Sequence, residues 1–320
     1  MDAPPRDYDP LLHDVALPLS GTFYALGFRV DIETNSPAVL EAAAESWGAY
    51  GPEFDSRPVE LRIIVRPEDG MPPDPVVRTQ RHYFSIVSDR DNFAAYDSAT
   101  FFGYCFVSAR ALEDRAWFRF HYLETMVYML LAQRYAMPVH AACVVQGDAG
   151  VLLYGLSGAG KSTLAWACAC GGWTYVTDDG AWLLPDAEDG AVLGRCRQIR
   201  FKPDAARLFP ELEPYVALPR PNGKISIEVP LDAFPQIRTA GRCRAGSVVV
   251  LDRTRGAAAQ LAPADATDVA GMLLADMPRY EPDVRERYAR VVERLLQVAP
   301  CYRLVYDDLD GAVRALGHLR

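Results

Sequence analysis

The N-terminal run Met1-Asp2-Ala3-Pro4-Pro5-Arg6-Asp7 has neither a basic n-region nor an apolar h-region, and no stretch approaches the roughly 20 apolar residues needed to cross a bilayer. Positive charge is also in short supply. A formal net charge of −9 argues against nucleic acid or an anionic membrane as the main partner. The seven cysteines are odd in number and irregular in spacing, which fits thiols kept free in a reducing cytosol. Cys168 and Cys170 form only a C-x-C, which reads as two small core residues before it reads as a metal site. Internal repeats and low-complexity tracts are missing as well. The expectation is a soluble, cytoplasmic protein with no nucleic-acid and no membrane partner. What the chain does have is apolar material, 50% of 320 residues, enough for two domains or one large one.

In the first part, Phe23 to Ile32 alternates like a strand, and Ser36 can cap a helix that Pro37 opens and Trp47 closes. Leu61 to Val65, Tyr83 to Val87, Phe93 to Tyr96 and Phe101 to Val107 read as strands, with Pro67 to Pro75 as a long exposed connection. Phe93, Tyr96, Phe101, Phe102 and Tyr104 could line a groove for an extended peptide or simply fill a core. Apolar residues from Trp117 to Tyr135 recur at helical spacing up to Pro138. Ala141 to Gln146 and Val151 to Tyr154 then form a hairpin, which sets the chain apart from a purely parallel βαβ arrangement. Strands are expected at Trp173 to Thr177, Ala181 to Leu184, Ala191 to Leu193, Ser247 to Leu251 and Cys301 to Val305. Helices are expected at Pro282 to Val298 and Asp308 to Leu319.

The richest motif is Gly155-Leu156-Ser157-Gly158-Ala159-Gly160-Lys161-Ser162-Thr163, a complete G-x-x-x-x-G-K-[ST] phosphate loop between an apolar strand and a helix that stops at Gly171-Gly172. The glycines let the backbone curl with its N–H groups around phosphate, and the helix N-terminus adds a favourable dipole. Lys161, read as a surface-loop charge, reaches the β/γ oxygens of a nucleoside triphosphate, and the Ser162 hydroxyl holds Mg²⁺.

The ordered combination Val139-His140, a hairpin, the phosphate loop, a helix closing on Gly-Gly, and Tyr175-Val176-Thr177-Asp178-Asp179 resembles the HPr kinase/phosphorylase family, most strongly from Met137 to Leu184. The resemblance implies an α/β fold. An HPr-kinase/PEP-carboxykinase-like phosphate-loop catalytic domain of mixed sheet and helices would span 137–320. A smaller α+β accessory or recognition domain would precede it over 21–136, after a flexible N-terminus over 1–20. It also implies roles, carried over where residues match. Lys161 binds phosphate, Ser162 ligates magnesium, His140 is an active-site histidine, and Asp179 takes the proton from the acceptor hydroxyl. Asp178 supports the metal or orients its neighbour. Two plainer readings stay open: the Asp pair as a capped turn and His140 as a structural residue.

Beyond the Asp pair the pattern departs. No second metal-binding carboxylate stands out near Arg197 to Pro203, and no arginine loop for dephosphorylation is recognisable, so reversal by phosphate is not expected. The middle of the chain instead resembles a divergent kinase-like branch found beside peptide-modifying enzymes, through Phe201-Lys202 and Asn222-Gly223-Lys224 to Pro230. Arg200, Lys202, Arg220 and Lys224 are therefore candidates for phosphate or acceptor contacts, against the alternative of solvated surface charge. The expectation is an ATP- and Mg²⁺-dependent kinase acting on a serine of a peptide or small protein, with homo-oligomerisation left open. The competitors are a small-molecule hydroxyl kinase and a non-catalytic nucleotide-binding regulatory module. Net negative charge favours a neutral or basic acceptor, unless the four cations gather into one pocket.

Overall fold

A computed structural model describes residues 15–185, 187, 190–221, 223–277 and 280–319. Most of the expected N-terminal segment, Asn222, and part of the turn from Pro185 to Gly190 lie outside the described residues. The chain divides into two units, Met1–Leu131 and Ala132–Arg320.

The first unit holds β1 (Leu19–Ala25), β2 (Phe28–Thr34), α1 (Pro37–Trp47), β3 (Val59–Arg66), β4 (Val76–Gln80), β5 (Tyr83–Val87), β6 (Phe93–Asp97) and β7 (Phe102–Ser108). They form one sheet, β1-β2-β3-β7-β6-β5-β4, parallel at β2–β3 and β3–β7. The single strand expected from Phe23 to Ile32 is a hairpin. Leu26 (φ 53°) and Gly27 (φ 88°) both take left-handed backbone, the conformation a two-residue turn needs to match strand twist, and leucine does not advertise it. Pro37 does open α1, but Ser36 makes no side-chain cap bond. Of the aromatic strand residues, Tyr96 and Phe101 are core, with Tyr96 stacked on Phe84 at 5.0 Å.

The single helix expected over Trp117 to Tyr135 is broken. After α2 (Ala109–Glu113) and α3 (Arg115–Phe118), a π-helical turn covers Arg119–Leu123 before α4 (Glu124–Arg134). The wider turn bonds Glu124 N to Arg119 O and brings the two side chains together at 3.1 Å.

The second unit contains β8 (Met137–Val139), β9 (Ala141–Gln146), β10 (Ala149–Tyr154), α5 (Lys161–Cys170), β11 (Thr174–Thr177), β12 (Ala181–Leu183) and β13 (Ala191–Leu193). β14 (Gln198–Phe201), β15 (Ala217–Pro219), β16 (Ile225–Pro230), β17 (Arg238–Thr239), β18 (Arg242–Arg253) and β19 (Gln260–Pro263) follow. The chain then closes with α6 (Ala266–Ala275), α7 (Pro282–Val298), β20 (Cys301–Tyr306) and α8 (Leu309–Leu316). The β9–β10 hairpin is present, but β10 also runs parallel to β18, so the sheet around the phosphate loop is mixed. Both faces of this sheet are buried. Val151 and Leu153 point into a core shared with α5 and α8, and Leu152 and Tyr154 into one shared with α6 and α7. β14, β16 and β15 make a separate three-stranded sheet, anchored where Phe201 meets Trp166 of α5 at 5.8 Å.

Candidate active site

Strand direction assembles the site. Because β9 runs antiparallel to both β10 and β11, its first residues lie at the same sheet edge as their last ones. β18 and β20 run parallel to β10 and end at that edge too. One edge therefore carries His140, the loop Gly155 to Gly160, Asp178-Asp179, Arg253 and Tyr306. The crevice beyond the carboxyl ends of strands is where open α/β sheets place ligands.

The loop is built for close backbone approach. Gly158 and Gly160 sit at φ 94° and 93°, and a Cβ on Gly160 would come 2.4 Å from the Tyr306 hydroxyl. That hydroxyl donates to Ala159 O at 2.8 Å, holding the loop against β20. Lys161 is not the surface charge its loop position suggested. It is only 8% exposed, and its Nζ donates to Gly155 O at 2.6 Å. Burial is the main influence lowering its pKa, with Lys224 adding to it and Asp179 and Asp276 opposing. An ammonium held inside by one carbonyl gains strongly from an arriving anion.

The adjacent aspartates sit in different environments. Asp178 is 6% exposed and accepts from the Tyr175 hydroxyl at 2.9 Å and from Arg200 N at 3.0 Å. Desolvation pushes its pKa up despite those bonds. Asp179 has a side chain 57% exposed, and its Oδ1 lies 2.9 Å from His140 Nε2. Desolvation also pulls this carboxyl upward, yet the bond and charge of His140, with Lys161 and Arg200, outweigh it and leave the pKa lowered. On the other side of the ring, His140 Nδ1 is 3.6 Å from Asp276 Oδ2.

Asp276 had no signal in the sequence. It is the C-cap of α6, far along the chain, and it reaches the site because the Tyr154 hydroxyl, at the root of the phosphate loop, bonds Met272 O at 3.0 Å. A helix carbonyl bonded to a tyrosine hydroxyl is a tertiary event that no motif encodes.

Of the four cations proposed for phosphate or acceptor contacts, Lys202 and Lys224 come close to the loop, and Arg200 and Arg220 meet at Glu228. Lys202 Nζ lies 3.7 Å from where a Cβ on Gly158 would stand, and the charge of Lys224 is felt at Lys161. Arg200 and Arg220 share Glu228, Arg200 at 3.2 Å and Arg220 in close contact. Burial, then Arg195, lowers the Arg200 pKa, while Glu228 and Asp178 oppose. Desolvation raises Glu228 individually, but the two arginines prevail and lower it. Composition carries a signal for this site: the chain has only three lysines, Lys161, Lys202 and Lys224, and all three gather at this loop.

Among the described residues no cluster of three or more His, Cys, Asp or Glu could hold a metal by itself. A family model described as "SynChlorMet cassette protein ScmC" matches residues 104–313, well over half of the chain. No curated protein matches in sequence. Among solved structures, the Hpr(Ser) kinase/phosphatase from Coxiella burnetii is similar at 14% identity and a TM-score of 0.29, over 57% of this chain and 94% of that one. A likeness of that size leaves the case to the residues themselves.

Proposed function

The chain belongs to the family of SynChlorMet cassette protein ScmC, and from that premise we propose that it is an ATP- and Mg²⁺-dependent, HPr-kinase-like enzyme that transfers the γ-phosphoryl group to a serine hydroxyl of a peptide or small protein. The observation that carries this reading is the pairing of Asp179 with His140 at 2.9 Å at the same sheet edge as a phosphate loop with a buried lysine. A module that only binds nucleotide has no use for a carboxylate set out beside the terminal phosphate.

The division of labour follows from the environments. Glycine amides and the first turn of α5 receive the phosphates, and Lys161 leaves Gly155 O for the β/γ oxygens. His140 occupies Oδ1 of Asp179, which leaves Oδ2 for the acceptor. The hydroxyl oxygen forms the new bond to phosphorus as the bond to the ADP oxygen breaks, and its proton passes to Asp179. A carboxylate with a lowered pKa is a weak base towards an intact alcohol. In a loose transition state the hydroxyl turns acidic only as the new bond forms, so a late transfer to a weak base suffices.

The donor set fits Mg²⁺, which takes one or two protein oxygens and fills the rest of its shell with phosphates and water. Ser162 and Asp178 would hold it, although each Asp178 oxygen already accepts one bond and Asp276 is the other nearby carboxylate. When bound, the ion neutralises charge on the β- and γ-phosphates. Lys202 and Lys224 beside the loop, with Arg200 near Asp179, supply local positive charge that the net charge does not reveal, so acidic serine peptides belong in the assay. The test is transfer from radiolabelled ATP to serine peptides of either charge, beside free hydroxy amino acids and sugars, read as an alkali-labile phosphoester that added phosphate does not remove. Labelling of small molecules alone would shift the assignment to the second class of kinase, and no labelling at all to the regulatory module.

A further inference from the structure

The second unit holds another concentration of positive charge, away from the phosphate loop. A cavity of about 400 Å³ is walled by Arg134, Arg287, Arg290 and Arg294, with Pro185 and Val291 as its apolar members. Arg287, Arg290 and Arg294 fall at i, i+3 and i+7 of α7, the spacing that aligns side chains along one helical face, and Arg134 at the end of α4 completes the wall.

The partners that hold these guanidiniums do not neutralise them. Arg294 Nη1 donates to Pro185 O at 2.7 Å, and Arg287 Nη1 donates to Gln133 O. A carbonyl fixes a guanidinium through one of its five N–H donors and leaves its charge whole. Among the described residues, the carboxylates that pair with the cavity arginines are Glu286, 2.7 Å from Arg290, and Asp283, 4.0 Å from Arg287. Their side chains are 73% and 75% exposed, where water weakens an ion pair. Four arginines set against two solvated carboxylates, in a chain of net charge −9, make a site prepared for an anion.

The layout selects among anions. From Arg287 to Arg294 the guanidiniums spread over about 10 Å of helix, at a rise of about 1.5 Å per residue. A lone phosphate meets one end of that row, whereas an extended segment of about three acidic residues, at roughly 3.3 Å each, runs its length. Pro185 and Val291 offer too little apolar surface for a lipid or an aromatic ligand. Asp283 and Glu286 bound the positive surface and oppose the continuous phosphate backbone of a nucleic acid.

Position ties the cavity to the catalytic edge. β8 and β12 are antiparallel partners, with Val139 opposite Ala181 and Met137 opposite Leu183. In the chain, His140 and Asp179 flank one end of this pair, and Arg134 and Pro185 flank the other. An extended chain from Asp179 to Pro185 covers at most about 20 Å, a gap that about six residues of peptide can bridge.

We propose that this cavity docks an acidic segment of the acceptor peptide, about six residues from the serine that is phosphorylated. The proposal rests on the peptide-kinase reading above, so binding and transfer are measured apart. Two fluorescent peptides carry alanine at the acceptor position, one with a run of glutamates about six residues away and the other with glutamines in their place. By fluorescence anisotropy with the full chain, the glutamate peptide should bind at least about tenfold more tightly than the glutamine peptide. Arg290→Gln and Arg294→Gln, both at exposed positions, should each weaken the glutamate peptide about three- to tenfold and leave the glutamine peptide within about twofold. With serine restored, the glutamates should lower KM about tenfold at unchanged kcat, and moving them to about two residues from the serine should remove that gain. Equal binding of the two peptides overturns the proposal. So does a preference for glutamate that neither arginine variant touches, which would move the acid contact to Lys202 and Lys224 at the loop. Displacement of the glutamate peptide by inorganic phosphate at equal concentration would assign the cavity to a small anion and overturn it too. Arginine-dependent binding without transfer to any serine peptide leaves the acidic-peptide site standing and fails the kinase reading.

Discussion

Asp89 in the first unit and Asp179 in the second share one electrostatic property for different reasons. Both carboxyls feel desolvation as the largest single influence and both still end with lowered pKa values. At Asp89 the lowering comes first from Asn92 and from backbone amides, with the Arg90 charge as the smallest contribution. Its Oδ1 accepts from Asp91 N at 2.9 Å and Asn92 N at 2.8 Å, which ties the turn between β5 and β6. At Asp179 it comes from His140, Lys161 and Arg200, groups that are themselves charged or able to carry a proton. A carboxylate satisfied by amides has its task built in. One held by other ionisable side chains can exchange partners when a substrate arrives. The direction of a pKa shift is thus the same at both carboxyls, and what differs is the set of groups producing it, mostly amides at Asp89 and mostly ionisable side chains at Asp179.

The sharpest way to break this contrast is at the loop. Lys161→Ala should reduce phosphoryl transfer by about 10³-fold or more, since it removes the cation facing the transferred charge. The variant should keep its circular dichroism spectrum, because a buried ammonium is costly to hold and its removal need not unfold the chain. Equal turnover by variant and wild type would remove the site from the loop.

Asp179→Asn should cut kcat by about 10²-fold with ATP affinity nearly intact, as expected for loss of a general base. If ATP affinity fell instead and kcat held, Asp179 would be a metal or phosphate group and the proton would go elsewhere. Asp276→Asn, which spares the helix and removes the second carboxylate beside His140, should lower kcat by about tenfold without shifting KM for ATP. An unchanged kcat would return Asp276 to the role of a helix cap.

The smallest effect belongs to the amide-bound partner. Asp89→Asn should leave transfer untouched and cost about 1 kcal/mol of stability at neutral pH. A carboxyl whose folded pKa lies below its ordinary 3.8 contributes stability above that value and loses it as pH falls through the lowered one. Thermal melts of the variant and wild type should therefore differ near neutrality and converge as the pH is taken below about 4. A gap that persisted into acid would assign the effect to turn geometry and not to charge.

Much of the chain was legible from local pattern. Pro37 to Trp47, Tyr83 to Val87, Lys161 to Cys170 and Pro282 to Val298 were bounded correctly, because proline at a helix start, Gly-Gly at a helix end and alternating apolar residues act over a few positions. The hairpin turn at Leu26-Gly27 was not, since a leucine at positive φ carries no compositional mark. The π turn was hidden because a spacing of apolar residues cannot tell a four-residue from a five-residue backbone bond.

For the site, the sequence by itself marked the G-x-x-x-x-G-K-[ST] loop, the Asp pair and the histidine, because the chemistry proposed for them demands particular side chains at short, fixed separations. Only the tertiary structure decided that Lys161 is buried, that Asp178 turns inward to Tyr175 and Arg200 while Asp179 faces His140, and that Asp276 joins them from the end of a distant helix. Burial, and the partner a carboxylate finds, depend on which strands run parallel and which helix a tyrosine hydroxyl catches. The Tyr154–Met272 bond joins residues 118 positions apart, beyond the reach of any local pattern.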